Sequence, residues 1–296
     1  FIHIADMKKN TYIIAEAGLN HNGSIEIAKK LIDVAAEAKA DAVKFQKRTI
    51  SELAIKDFLN KKDDRFPSFG KTYGEIRNFL EFNLDQYKEL KVYSENKNLD
   101  FIVTPFDLVA LDFLENVGIE KYKIASHSLT NLELINTISK LKKVVILSTG
   151  MAEIEEIDTA VEIFTKNQND KLSLLHCVSS YPSAYNESNL KLINFLRDRY
   201  NVPVGYSGHE IGYFPTLVAV SMGAEIVERH YTLDTKMEGF DHKISLNPKE
   251  LIEMVIKIRE IEEIHGQTDK FVSAKEKITK DKYHVSIVSL CKINAG

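Results

Sequence analysis

Eight short runs of β-forming residues recur along the chain, and helical apolar patterns fill the intervals between them. The runs are Tyr12–Glu16, Ala42–Phe45, Phe101–Thr104, Lys121–Ile124, Val144–Leu147, Leu172–Leu175, Val202–Gly205 and Glu225–Glu228. After the first, Asn22-Gly23-Ser24 supplies a turn and a helix cap, and Ile27, Leu31, Ala35 and Ala38 fall on one face. Further helical patterns lie near 85–98, 107–117, 131–140, 153–167, 189–200, 213–222 and 248–264. Strict alternation of this kind predicts a parallel sheet with helices packed against it. About eight units over about 250 residues is the count and size of a (β/α)8 TIM barrel. A doubly wound open sheet is the competing architecture, weakened because no GxGxxG follows the first strand.

Length and composition limit what such a chain does. At 296 residues it holds two domains or one large one, on roughly 150 residues per domain. An apolar fraction of 44% supplies a sizeable core. Thirty-nine basic against 43 acidic side chains leave a net charge of -4, with no basic patch for nucleic acid. No apolar run approaches the ~20 residues that span a bilayer. The opening Phe1-Ile2-His3 lacks the pattern of a signal peptide. Cys177 and Cys291 have no metal or disulfide spacing, which suits a reducing cytoplasm. The stretch from 47 to 84 is long for a strand-to-helix connection and reads as a lid or substrate-binding insertion. The charged tail from Thr268 on is less periodic and resembles a linker.

In a barrel, polar residues at the carboxyl ends of the strands face the active site. Here those ends carry Glu16, Lys44, Thr104, Lys123 with Ser126, Ser148-Thr149-Gly150, His176, Ser207 with His209, and Glu228 with His230. Lysine is almost never buried unpaired. Lys44 and Lys123, both in apolar strands with Ser and Thr nearby, therefore suggest a phosphate or carboxylate pocket. A bland alternative pairs each lysine in a salt bridge. His209 and His230 end adjacent strands and could share a divalent metal, although no local HxH spacing supports it and structural histidines remain the alternative. Asn20-His21-Asn22-Gly23 reads first as a polar turn, and Tyr181-Pro182 as a loop anchor. Cys177 and His176 should face opposite sides, which argues against a Cys/His nucleophile. Tyr73, Tyr87 and Tyr93 are assigned to packing.

Ile13-Ile14-Ala15-Glu16-Ala17-Gly18-Leu19-Asn20-His21-Asn22-Gly23 resembles the opening signature of the sialic acid synthase family. Val43-Lys44-Phe45-Gln46, Lys123-Ile124-Ala125-Ser126, Ser148-Thr149-Gly150-Met151, Gly205-Tyr206-Ser207-Gly208-His209, Glu228–Asp234 and Asp241-His242-Lys243 follow in family order. Gly70–Glu75 and Leu80-Glu81-Phe82 resemble the branch that includes the animal enzymes. The resemblance implies condensation of phosphoenolpyruvate with an N-acylated amino-sugar aldehyde such as N-acetylmannosamine, giving a nonulosonic acid and phosphate. It implies a divalent metal, Mn²⁺ or Mg²⁺, on His209 and His230. Thr104, Lys123, Ser126 and Ser207 match phosphate and carboxylate contacts, and Lys44 a further active-site lysine. Glu16, Gln46, Tyr181 and Asp241 match sugar-side or acid–base positions.

Three positions depart from the family pattern: Ser128 where an acidic residue is common, Ser179 where bacterial members have Asn at a phosphate contact, and Phe240 in place of Pro before Asp241. By the same resemblance residues 1–267 form the catalytic barrel. Residues 268–296 form a linker toward a C-terminal antifreeze-like domain that this chain does not contain, and the enzyme is a cytoplasmic homodimer. Two other readings compete: a different phosphoenolpyruvate–aldose synthase, and a catalytically silent sugar-phosphate-binding barrel.

Overall fold

The residues that point into the barrel change character halfway along their strands. Ile14 precedes Glu16 on β1 (Tyr12–Gly18), Ala42 precedes Lys44 on β2 (Ala42–Lys47), and Ile102 precedes Thr104 on β3 (Asp100–Pro105). Ile146 precedes Ser148 on β5 (Val144–Ser148), Leu175 precedes Cys177 on β6 (Leu172–Cys177), and Ile226 precedes Glu228 on β8 (Ile226–His230). A period of two puts each pair on one face. The six aliphatic residues, with Tyr12, pack together inside the barrel, and the polar members rise above them. Burying one of these Ile or Leu side chains stabilises by roughly 1.5–3 kcal/mol. The plug closes the lower barrel and leaves the carboxyl end for chemistry.

The structure is a computed structural model that describes residues 10–266 and 269–296. The start at Phe1–His3 and the boundary expected between residues 267 and 268 lie outside the described residues. The eight strands, including β4 (Lys121–Ile124) and β7 (Val204–Gly208), close in sequence order with every neighbour parallel. This is the (β/α)8 barrel expected. The opposite strand faces, with Ile13, Ala15, Val43, Phe45, Val145 and Leu174, form the core shared with the outer helices.

Eight helices cover the barrel: α1 (Ile25–Glu37), α5 (Leu84–Glu95), α6 (Leu108–Val117), α7 (Leu132–Lys140), α8 (Ile154–Lys166), α9 (Leu192–Tyr200), α10 (Phe214–Ser221) and α11 (Pro248–His265). Ser24 caps α1, its Oγ accepting from the Ile27 N–H. Two differences from the sequence reading have local causes. Strand β7 begins at Val204 rather than Val202, because Pro203 has no N–H to add to the ladder; only its carbonyl joins, accepting from Leu174 N at 2.9 Å. The 47–84 stretch is not bare loop but carries α2 (Ile50–Leu53), α3 (Lys56–Leu59) and α4 (Tyr73–Phe79). A reciprocal Thr72/Glu75 cap starts α4, a signal that outweighs the weak periodicity. Ile76 and Leu80 there join Leu19 and Phe69 in a satellite core, with Phe66 and Phe240 against it.

Two compact units divide between Glu263 and Ile264. The second holds one helix, α12 (Ala274–Tyr283), where the sequence reading expects only an aperiodic linker. A Ser273/Glu276 capping box nucleates it rather than an apolar face.

Candidate active site

A cavity of about 190 Å³ opens at the carboxyl end of the strands. Glu16, Lys44, Gln46, Thr104, Lys123, Ser126, Ser179, Tyr181, Ser207, His209 and His230 all line it, so every expected site residue except Asp241 reaches one space. Asp241 stands just behind, its Oδ2 3.9 Å from His230 Nδ1. Barrel closure creates the core of the site. In register, Glu16 faces Lys44 on one side and His230 on the other, although β1 and β8 are separated by most of the chain.

Two lysines and two carboxylates make a buried alternating charge cluster. Lys44 Nζ lies 2.9 Å from Glu16 Oε2 and 3.4 Å from Glu228 Oε1, and it donates to Thr104 Oγ1 at 3.4 Å. Lys123 Nζ has, among the described residues, one carboxylate within 4 Å, Glu228 Oε1 at 3.8 Å. The difference shows in their protonation. Burial works against the charge on Lys44, but Glu16 and then Glu228 outweigh it and raise its pKa. Burial prevails at Lys123 and lowers its pKa, because one carboxylate at longer range does not compensate. Glu228 is held below the ordinary carboxylate range: burial opposes this, and Lys123 and Lys44 overcome it. The salt-bridge alternative for the lysines is thus part of the site. Glu228 Oε2 is buried without a hydrogen-bond partner, whereas Glu16 Oε2 is held by the Lys44 ammonium. A buried acceptor left open is costly, so the Glu228 oxygen is placed to take a donor from the cavity.

Beside the lysines, Ser126, Cys177 and Ser179 line the cavity and pack tightly against Gly150. Gly150 N donates to Ser126 Oγ at 3.1 Å, and Ser126 Oγ is 3.0 Å from Cys177 Sγ. A Cβ on Gly150 would meet Ser179 Oγ, Cys177 Sγ at 2.7 Å and Ser126 Oγ at 2.9 Å. Only glycine fits there without pushing these three side chains aside. With two lysines in the same lining, the Ser126 and Ser179 hydroxyls suit an anion in the cavity. His176, next to Cys177, points away, Nε2 meeting the Ser188 carbonyl at 2.8 Å, so the two do not form a nucleophilic pair. Ser128 is buried in a 3-10 turn and does not line the cavity.

The two histidines stand side by side at the ends of adjacent strands, ring centroids 5.6 Å apart. His209 Nδ1 meets the Val178 carbonyl at 2.8 Å, which requires Nδ1 to carry the proton and leaves Nε2 a lone pair. That Nε2 accepts from the Tyr181 hydroxyl at 3.1 Å, so Tyr181 is a site residue, not a mere loop anchor. Burial, with His230 beside it, pushes the His209 pKa down to about 3, and the ring is neutral at pH 7. His230 Nδ1 is buried with no hydrogen-bond partner. A neutral imidazole whose Nε2 lone pair is shared only with the Tyr181 hydroxyl, beside a second imidazole that ends the adjacent strand, offers two nitrogen ligands to a divalent cation once that hydroxyl turns aside. Among the described residues no three His, Cys, Asp or Glu gather around one point. The remaining positions of such an ion would fall to substrate or water oxygens.

The Asn20–Gly23 turn does more than precede a helix. Asn20 Nδ2 donates to the Tyr231 carbonyl at 2.7 Å and to Ser245 Oγ at 2.9 Å. Asn22 Oδ1 meets His242 Nε2 at 3.1 Å, tying β1 to the loop that carries Asp241. Tyr87 is buried as expected, and its hydroxyl also donates to the Gln46 carbonyl at 2.6 Å, fixing the strand end beside the cavity. Sequence reasoning places Glu228 at a strand end without a role; its position two residues before His230 was the available signal for a shared face. It misses Phe106 and His127, whose stacked rings (centroids 4.7 Å apart) form one wall. Neither has a sequence pattern that marks it.

The NeuB family model matches residues 31–270. The N,N'-diacetyllegionaminic acid synthase of Campylobacter jejuni is 40% identical over 97% of this chain and 87% of its own length. The N-acetylneuraminate-9-phosphate synthase of Mus musculus is 37% identical over 98% of this chain and 80% of its own. Among solved structures, the N-acetylneuraminic acid (sialic acid) synthetase of Leptospira borgpetersenii serovar Hardjo-bovis, in complex with citrate, superposes with a TM-score of 0.81. It is 39% identical and covers 92% of this chain and 91% of that one.

Proposed function

The chain belongs to the NeuB family, and from that premise we propose how its own residues carry out the reaction. It is a nonulosonic acid synthase, an enzyme that condenses phosphoenolpyruvate with an amino-sugar aldehyde. The observation that carries the residue-level reading is the buried cluster of Lys44 and Lys123 with Glu16 and Glu228, in one cavity with the hydroxyls of Thr104, Ser126, Ser179 and Ser207.

Phosphoenolpyruvate brings a carboxylate and a phosphate into a pocket whose two lysines already balance two carboxylates. Lys123, the less compensated, neutralises the incoming anion, and Thr104, Ser126, Ser179 and Ser207 donate hydrogen bonds around it. C3 of phosphoenolpyruvate forms a bond to the aldehyde carbon, and the aldehyde oxygen takes a proton. Water adds at C2, and the tetrahedral intermediate releases phosphate by breaking its C2–O bond, leaving the 2-keto group. Glu16, paired with Lys44 and accepting from Gln46 Nε2 at 2.6 Å, is placed to move protons at the aldehyde end. His209 and His230 would hold a divalent metal, Mn²⁺ or Mg²⁺, which supplies Lewis-acid polarisation of the aldehyde. Asp241 orients His230, and Tyr181 and Gln46 border the sugar.

The reading extends to a cytoplasmic homodimer in which residues 1–267 are the catalytic domain and 268–296 a linker. Among the described residues no helix is long and apolar enough to cross a membrane. The test is phosphate release from phosphoenolpyruvate with Mn²⁺ and each amino sugar in turn. Release that requires an amino sugar supports the assignment. Release with arabinose 5-phosphate or erythrose 4-phosphate instead would establish the other synthase reading, and binding without release from any aldose the silent barrel.

A further inference from the structure

Two arginines at the cavity mouth have no full set of acceptors. Arg48 follows β2 and lies flat on Phe106, its guanidinium carbon 3.7 Å from the ring centre. Its Nη2 donates to Gln46 Oε1 at 2.7 Å, while Nη1 is buried without a partner. Arg77, on α4 of the insertion, stacks on Phe240 at 4.1 Å, and its Nε is likewise buried and unpartnered. Their charges oppose one another: burial first, then Arg77, pushes the Arg48 pKa down to about 10. Nearby carboxylates do not discharge the pair. Glu81 is taken by Lys47 at 2.7 Å and by the Arg48 backbone N–H at 3.2 Å, and Asp241 stands beside His230. Arg65, the neighbouring arginine on Phe240, is by contrast paired through Nε and Nη2 with Asp63.

Aromatic stacking fixes two guanidinium planes and leaves N–H donors unused, which is the arrangement that binds a dianionic phosphate. Phe106 and Gln46, the residues that seat Arg48, also line the reaction cavity. We infer that Arg48 and Arg77 form a second anion subsite, which takes the phosphate of a 6-phosphorylated N-acylamino sugar. The inference rests on the synthase reading: with the aldehyde end at His209 and His230, the far end of an open six-carbon chain points to the mouth.

The test compares N-acetylmannosamine with its 6-phosphate on the full chain, in wild type, Arg48→Lys, Arg77→Gln and the double variant, each first checked by thermal melting. Turnover is followed by phosphate release, and binding of both sugars and of inorganic phosphate by calorimetry. The expected result is a kcat/KM at least 100-fold higher for the phosphorylated sugar. Arg77→Gln should cut that preference 10-fold or more through the sugar KM, with the phosphoenolpyruvate KM unchanged. Equal use of both sugars by wild type, or a preference that survives the double variant, overturns the subsite and leaves the synthase reading intact. Inorganic phosphate binding as tightly as the sugar phosphate, and lost with the arginines, also overturns it, since the pair would then serve free phosphate. Arginine-dependent sugar-phosphate binding without turnover would retain the subsite and refute the synthase assignment.

Discussion

Replacing Glu228 with Gln removes one negative charge from between two lysines while keeping volume and hydrogen-bonding shape. Lys44 keeps Glu16 at 2.9 Å, so most of the cost falls on Lys123, which keeps no carboxylate within 4 Å. At the 3.8 Å separation and an effective dielectric of about 20, the lost attraction is about 4.4 kcal/mol. An independent ceiling comes from titration. A buried lysine can shed its proton instead, and at pH 7 that costs about 4.6 kcal/mol, from about 1.36 kcal/mol per unit over roughly 3.4 units. Measured losses on breaking buried pairs run about 3–5 kcal/mol. The three figures agree on a destabilisation of about 3–4.5 kcal/mol, which lowers the melting temperature by roughly 5–7 °C for a chain of this length.

Phosphoenolpyruvate should supply the missing charge. Glu228→Gln is therefore expected to lose most stability when ligand-free and to gain more from saturating phosphoenolpyruvate than wild type does. The double variant Lys123→Met/Glu228→Gln, which removes both charges, should recover much of the loss. Thermal melts of the four proteins, with and without phosphoenolpyruvate, complete the cycle. A Glu228→Gln melt within about 2 °C of wild type would refute the charge argument. A loss that phosphoenolpyruvate does not reduce would show that Lys123 does not meet this ligand.

Gly150→Ala should push aside Ser126, Cys177 and Ser179, raising the phosphoenolpyruvate KM about 10- to 100-fold and costing about 1–3 kcal/mol by overpacking; kinetics and melting measure both. His209→Ala and His230→Ala should each abolish saturable Mn²⁺ binding, read by calorimetry or electron paramagnetic resonance, together with turnover. Glu210→Gln breaks a fully buried ion pair with Arg229 and should cost about 3–5 kcal/mol in a denaturant titration while leaving the cavity residues in place. His21 is stacked on Phe82, and burial pushes its pKa down to about 3. A depressed folded value contributes stability above the unfolded pKa of about 6.5 that is lost as pH falls toward the folded one. Between pH 7 and 5 wild type should therefore lose about 2 kcal/mol more than His21→Gln, in denaturant titrations at the two pH values.

What was legible in the sequence follows from what is local. A strand's parity puts Glu16 above Ile14 and Glu228 above Ile226 whatever the rest of the chain does, so the barrel and the polar end of its interior could be read directly. Partners could not. Lys44 meets Glu16 across one strand pair and Glu228 across the closing pair, and that second contact exists only because β1 pairs with β8. Hence two lysines look like an anion site or like salt bridges when read one at a time, and are both once the barrel closes. The insertion obeys the same logic. Its helices were hidden because α4 starts on a capping box and is held by a few aromatic contacts, which leave little periodic signal. Arg48 and Arg77 lie on different elements there, and only the rings beneath them, Phe106 and Phe240, fix their guanidinium planes. The proposed acceptor subsite is thus held by long-range stacking, whereas Lys44, Lys123, Glu16 and Glu228 sit on strands, where spacing reveals them. That division predicts that relatives of this chain with another acceptor differ at Arg48, Arg77 and the rings beneath them, above an unchanged floor of Lys44, Lys123, Glu16 and Glu228.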